Sequence, residues 1–246
     1  MKHRWWIVAL LGGAITASGE VPDGDAILTA VDRNIGSDTK VSTARMVIEG
    51  RRGSRTVAFK SWIRGMEESS TEYLEPPRER GVKMLKLGDQ LWAYYPSTDR
   101  TIKISGHMLR QSVMGSDLSY EDLMEDPLLS GLYEPVIESE EVVLDRLCWV
   151  LHLTAKRDDL AYDSRTMWVD KERFVILREH RFANSGKLLK TTDVTEVVEI
   201  DGRWVGKTVE FKDALKSGSG TRFIIDTIDF DVEIPEFVFT KAILRK

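Results

Sequence analysis

Four histidines, one cysteine and a Gly115-Ser116-Asp117 triplet are the residues whose types could support metal, acid–base or nucleophilic chemistry, and their spacing argues against each. His3, His107, His152 and His180 stand far apart, and none has a second ligand two or four residues on, the spacing that brings two donors to one metal ion. His152 lies between Leu151 and Leu153, so on a strand it points away from both. Cys148 sits beside Trp149 with no local cation to lower its pKa, and reads as a buried strand residue. Ser116 lacks the G-x-S-x-G elbow and the long helix that expose a nucleophile, so a turn or cap role fits it. Glu67-Glu68 and Glu140-Glu141 are adjacent pairs, which strands send to opposite faces, where they cannot act together on one substrate. There is no glycine-rich phosphate loop or dinucleotide fingerprint, and Gly218-Ser219-Gly220 is hairpin chemistry. The expectation is a protein with no catalytic residues, no metal ligands and no cofactor.

The elements that would position any site are mostly strands. Asp23 or Asp25 can cap a helix whose apolar residues Ile27, Leu28, Val31 and Ile35 share one side, ending at Gly36. Beyond it the period becomes 2: Met46 and Ile48 alternate with Arg45 and Glu49, and Val57, Phe59 and Ile63 with Lys60 and Arg64. Gly50 and Gly53 mark a hairpin, and the meander continues through residues 69–74, 82–87 and 91–95. A second meander is read at 136–144, 148–155, 166–170, 174–183, 187–200, 203–212 and 221–231, with turns such as Ser185-Gly186 and Asp201-Gly202 between its strands. The fold expected is mainly β with few helices: an unclosed antiparallel β-barrel, a strongly curved sheet of about 11 strands, capped by the N-terminal helix and a central helical or loop lid.

Composition bounds the rest. The 246 residues, 42% hydrophobic and 30% charged, suffice for one core and one domain. Lys2, His3 and Arg4 precede an uncharged run from Trp5 to Ala17 and the small residues Ala17-Ser18-Gly19, a secretory pattern. That run is shorter than the roughly 20 residues a spanning helix needs, so a signal peptide over 1–19, cleaved after Gly19, is expected in preference to an anchor. The mature domain would be 20–246, and its net charge would go from −5 to −7 on losing Lys2 and Arg4. The only cysteine, Cys148, is neither placed for lipidation nor able to pair internally. An acidic exported chain with scattered basic residues is a poor nucleic-acid binder.

The least regular stretch is KISGHMLRQSVMGSDLSYEDLMED, residues 103–126. It holds Met108, Leu109, Val113, Met114, Leu118, Leu123 and Met124, yet Gly106, Gly115, Ser116 and Asp117 break any apolar period. Ser119-Tyr120-Glu121-Asp122 is a capping box, predicting a short helix from 120 to about 125 after a broken stretch at 106–118. Three methionines within it, with soft and adaptable side chains, favour an apolar lid over a plain loop. Trp62 lies opposite the Phe59 face, and Trp92 and Tyr94 alternate with Leu91, Ala93 and Tyr95, leaving that strand apolar on both sides.

Several blocks in order, LWAYYPSTDRTIKISGHMLRQSVMGSDLSYEDL (91–123), MWVDKERFVILREHRFANSGKLLKT (167–191), EIDGRWVGKTVEF (199–211) and IPEFVFTKAIL (234–244), resemble the LolA/LolB-like periplasmic lipoprotein carriers, and more closely their outer membrane lipoprotein-sorting branch. The resemblance covers roughly residues 25–246. It implies an open barrel whose apolar cavity shields lipid or lipoprotein acyl chains in the periplasm, without enzymatic activity. It also implies transient membrane contact and service to an inner-membrane ABC- or RND-type exporter. Cavity and lid residues expected from apolar placement are Ile27, Val31, Trp62, Trp92, Tyr94, Met108, Leu109, Val113, Met114 and Leu118. The segment 106–118 and the N-terminal helix are expected to move for loading, in a monomer. Two other readings stay open: an exporter accessory protein whose cavity its own side chains fill, and a lipid-ester hydrolase.

Overall fold

A computed structural model describes residues 22–50, 53–125, 128–218 and 220–245. The expected leader, residues 1–19, lies outside the described residues. Helix α1 (Gly24–Ile35) is followed by β1 (Thr39–Gly50), β2 (Gly53–Arg64), β3 (Glu68–Glu75), β4 (Lys83–Leu87), β5 (Gln90–Tyr95) and β6 (Arg100–Ile104). After 3-10 turns at Gly106–Arg110 and Val113–Gly115 comes helix α2 (Tyr120–Met124). The second half comprises β7 (Tyr133–Val143), β8 (Arg146–Ala155), β9 (Ser164–Asp170), β10 (Ile176–Phe182), β11 (Leu188–Ile200), β12 (Arg203–Asp213) and β13 (Thr221–Phe230), then 3-10 turns at Glu236–Phe239 and Lys241–Arg245.

All thirteen strands form one open antiparallel sheet in the order β6-β5-β4-β3-β2-β1-β13-β12-β11-β10-β9-β8-β7. Each half is a hairpin meander, and the halves are joined by pairing β1 with β13, from Lys40–Phe230 to Ile48–Thr221. The edge strands are therefore β6 and β7, and the described residues between them, 105–125 and 128–132, lie along the way from one edge to the other. The half-barrel expected from the alternation is the architecture found, with 13 strands instead of about 11. The strand that alternation does not announce is β6, whose residues are exposed apart from Ile104.

Alternation decides the layers. On the inner face, Ala44, Met46, Ile48, Val57, Phe59, Met84, Leu91 and Ala93 pack with Val113, Leu118 and Tyr120 of the crossing segment. Helix α1, capped where the Asp23 carboxylate accepts from Ala26 N at 2.7 Å, lays Ile27, Leu28 and Val31 on Leu151, Leu153, Met167 and Val169. Full burial of each such side chain stabilises by about 1.5–3 kcal/mol. The outer face of β1–β5 is covered by the chain's last turns, where Leu244 meets Leu85 and Trp92, and Ile234, Val238 and Phe239 meet Val41 and Trp62. No helix among the described residues is long and apolar enough to cross a membrane.

Candidate functional site

The crossing segment is stitched down by polar groups. Gly106, Met114 and Gly115 take positive φ values of 56°, 50° and 71°, which turn the chain twice within ten residues. Between them Ser112 bridges Ser119, Val113 N donates to Leu118 O at 2.8 Å, and Tyr120 N donates to Gln111 O at 3.1 Å. The Ser116 hydroxyl donates to Val113 O at 2.7 Å, and Asp117 accepts from the Thr221 hydroxyl at 2.8 Å and from Asp213 N at 3.1 Å. Lys216 adds bonds to Ser112 and Ser116, and Arg55 donates to Met114 O. Ser116 is thus buried in a turn, its hydroxyl donating to Val113 O and accepting from Leu118 N, the turn role its sequence context favours.

Helix α2 is held by a buried ionic cluster that apolar patterning does not reveal. Its capping box is formed, with Ser119 N donating to Asp122 Oδ2 at 2.6 Å. The same Asp122 carboxylate receives Lys190 Nζ at 2.6 Å, the Tyr162 hydroxyl at 2.5 Å and Arg181 at 3.4 Å. One turn on, Glu125 pairs with Arg165, whose other Nη meets Glu179 at 2.7 Å, and Arg181 also clasps Glu179 at 2.8 Å. Arg165 lies over the ring of Tyr133, with 4.6 Å to its centroid. Three cations and three carboxylates cancel. Burial alone would raise Asp122 and Glu179, but Lys190 and Arg181 hold the first at about 2, and Arg181 with Arg165 holds the second at about 2. Glu125 is raised, because burial there outweighs Arg165 and Arg181. Lys86 Nζ donates to Met66 O at 2.9 Å and to Met124 O at 3.2 Å, gripping the end of α2. Asp32 of α1 accepts from Leu129 N at 2.9 Å and Ser130 N at 3.0 Å, fixing the far end of the crossing.

Under this strap runs a trough. A mouth of about 760 Å³ opens between the end of α1, α2 and strands β1–β4, lined by Ile35, Lys40, Ile63, Leu123 and Arg203 among others. Two inner chambers of about 410 and 330 Å³ share Ile35, Ile176, Val209, Phe211 and Ile225, and a fourth of about 230 Å³ lies over Met46, Phe59, Leu118 and Phe223. Neighbouring chambers share lining residues, and each is close to or within the usual range for small-molecule pockets, about 300–1,000 Å³. The inner walls are mostly apolar, with the ionic cluster, Lys40, Asn34 and Thr192 as their polar residues. Among the described residues no group of three or more His, Cys, Asp or Glu is placed to hold a metal ion.

The residues expected to form the cavity fall into three groups. Val31 lines the inner trough, and Val113 and Leu118 line the chamber beneath the strap. Ile27 is fully buried between α1 and the sheet, while Met108, Leu109 and Met114 pack on the inner core of β1–β5 without lining these chambers. Trp62, Trp92 and Tyr94 line none of these chambers: they lie on the outer face, packed with Val238, Ile243 and Leu244. A strand's period of 2 puts Trp92 opposite Leu91, and Leu91 faces inward. The trough residues missed, Ile35, Val209, Phe211, Phe223 and Ile225, carry a usable signal: the last four alternate along two strands that the sequence pattern locates.

Three solved structures share the architecture. A domain named for outer membrane lipoprotein sorting, from Vibrio parahaemolyticus, is 20% identical with a TM-score of 0.78, covering 91% of this chain and 98% of its own. A DUF1329 family protein from Desulfovibrio piger is 24% identical, TM-score 0.79, covering 90% and 97%. A LolA superfamily protein from Nitrosomonas europaea is 24% identical, TM-score 0.75, covering 90% and 99%. At these identities the likeness shows the fold. No curated protein matches this chain. The family model that matches residues 65–246 carries the description "uncharacterized protein", and the chain belongs to that family, built on the open half-barrel of the LolA-like and lipoprotein-sorting folds.

Proposed function

We propose that residues 20–246 form a single carrier domain, exported to the periplasm by a cleaved leader, that binds acyl chains of a lipid or lipoprotein and moves them toward the outer membrane. The observation that carries this reading is the apolar trough between the inner face of the sheet and the strap of residues 105–125 and 128–132. An acyl chain in water costs about 0.8 kcal/mol per methylene, so moving one between membranes requires a dry wall of this kind. Loading from an inner-membrane ABC- or RND-type exporter belongs to the same proposal, as do transient membrane contact, a monomeric state and a non-enzymatic role. The fold of the lipoprotein-sorting and LolA superfamily structures supports it.

The test is gentle purification of the exported protein and mass spectrometry of its organic extract. Lipid near one equivalent is expected. Ile225→Trp, which fills the shared inner chambers, is expected to lose it while melting close to the wild type. Absence of lipid from both proteins, with no uptake from added vesicles, would sink the carrier reading.

A further inference from the structure

Among the described residues, Lys40 is the cation of the inner face that lacks a partner. It stands on β1 in a cross-strand row, Phe230–Lys40–Ile63–Ser69–Lys86, and lines both the wide mouth and the inner trough. Its cationic neighbours on the sheet are engaged, while Arg33 of α1 is exposed at the rim of the mouth. Arg203 pairs with Asp231 at 2.9 Å and donates to Gly36 O, Lys86 donates to Met66 O and Met124 O, and Arg165, Arg181 and Lys190 belong to the ionic cluster. The acids of the mouth are engaged too: Glu68 with Arg64 at 2.5 Å, Glu125 with Arg165, and Asp231 with Arg203, while Asp38 is exposed at the rim. Lys40 has no hydrogen bond or ion pair among the described residues. Burial and the Arg203 charge lower its pKa, the state of a half-buried ammonium without a counter-ion.

We propose that Lys40 holds the anionic headgroup, a carboxylate or phosphate, of an acyl amphiphile whose chain lies along the inner trough over Phe230, Ile228, Ile225 and Phe211. The chemistry follows from the placement. Along β12 and β13 beyond Lys40 the wall is apolar, with Glu179 and Arg181 already paired within the ionic cluster, whereas the mouth carries charged residues and Arg203 adds positive potential, so the boundary between head and tail falls at this side chain. A bound anion would restore the partner that Lys40 lacks, and a charge-assisted hydrogen bond in such a site is worth roughly tenfold or more in affinity. The inference rests on the carrier reading and adds the headgroup class.

The experiment measures displacement of the neutral fluorescent probe N-phenyl-1-naphthylamine from the purified, delipidated full-length mature protein at pH 7. Dodecanoate, dodecyl phosphate, dodecanol and inorganic phosphate are the competitors. Both anionic amphiphiles are expected to displace the probe at about tenfold lower concentration than dodecanol. Lys40→Met should close that gap, and Lys40→Arg should keep most of it. Lys40→Met removes an unpaired half-buried charge, so its melting temperature should equal or exceed the wild type, which separates lost recognition from lost folding. Equal displacement by acid and alcohol in the wild type, or an undiminished gap in Lys40→Met, overturns the headgroup assignment and leaves the carrier intact. Displacement or thermal protection by millimolar inorganic phosphate, dependent on Lys40, marks a bare anion site and also overturns it. Failure of the probe and of every amphiphile to bind overturns the carrier reading itself, and the headgroup assignment with it.

Discussion

Asp122 does two jobs with one carboxylate, capping α2 and receiving Lys190, Tyr162 and Arg181 from the sheet. Asp122→Asn keeps the cap geometry but leaves two cations facing a neutral amide, so urea unfolding should show a loss of about 3–5 kcal/mol. The same group predicts an acid limb. Asp122 and Glu179 titrate at about 2 in the folded chain and near 4 when unfolded, so below about pH 4 the unfolded chain binds more protons. Stability from these two should be full above pH 4 and be lost as pH falls toward 2, and urea midpoints across that range should show a shallower fall in Asp122→Asn. Glu125, raised by burial, works in the opposite sense: its contribution is present below its unfolded pKa and is lost as pH rises through the folded one. Only half of Asp122's role is legible in the sequence. Capping is local and shows in a four-residue motif, whereas Lys190 lies 68 residues away and Arg181 59, distances no motif spans. Cys148 is legible: buried on β8 beside Asp170, its thiol is pushed up to about 11 by burial and by that carboxylate. A thiol reagent at pH 8 should label it only on unfolding.

The strap reads in the sequence as broken and apolar, and both features hold, but the ties that would limit movement are spread unevenly over 106–118. Around Gly115 the chain is tied by Asp117 to β12 and β13, by Lys216 and by Arg55. The turn Gly106–Arg110 has exposed or half-buried residues and few side-chain ties. Hydrogen exchange should therefore be fast at Gly106–Arg110 and slow at Val113–Tyr120, and Asp117→Ala should raise exchange across 111–120. The glycine signal is informative about geometry. Gly115 sits at φ 71°, and a methyl group on its Cα would lie 3.4 Å from the Arg55 guanidinium, so Gly115→Ala should cost about 1–2 kcal/mol in thermal or urea unfolding. Polar residues inside an apolar run mark where such a segment is pinned, a signal available in Ser116-Asp117 but ambiguous until their partners on β12 and β13 are known.

At the scale of the whole molecule, strand order follows hairpin by hairpin from turn residues and alternation, so nearly all of the sheet is legible. The step that is not is the β1–β13 pairing, which joins the two meanders and has no local turn to announce it. Alternation also states which residues share a face without stating which face is inside, so it separates Trp62 from Phe59 and Trp92 from Leu91 without telling which of each pair faces the trough. The inner face is set by where α1 and the strap cross, and the outer face by the chain's last turns, which fold back over β1–β5. The two layers should therefore separate by mutation. Trp92→Ala removes an aromatic packed on Leu85 and Leu244, and should cost about 3–5 kcal/mol, seen as a lower melting temperature. Because Trp92 touches no chamber of the trough, the folded variant should still carry lipid at the wild-type ratio by mass spectrometry, in contrast to Ile225→Trp. Lipid lost from a folded Trp92→Ala, with Ile225→Trp still loaded, would move the binding surface from the inner face to the outer one.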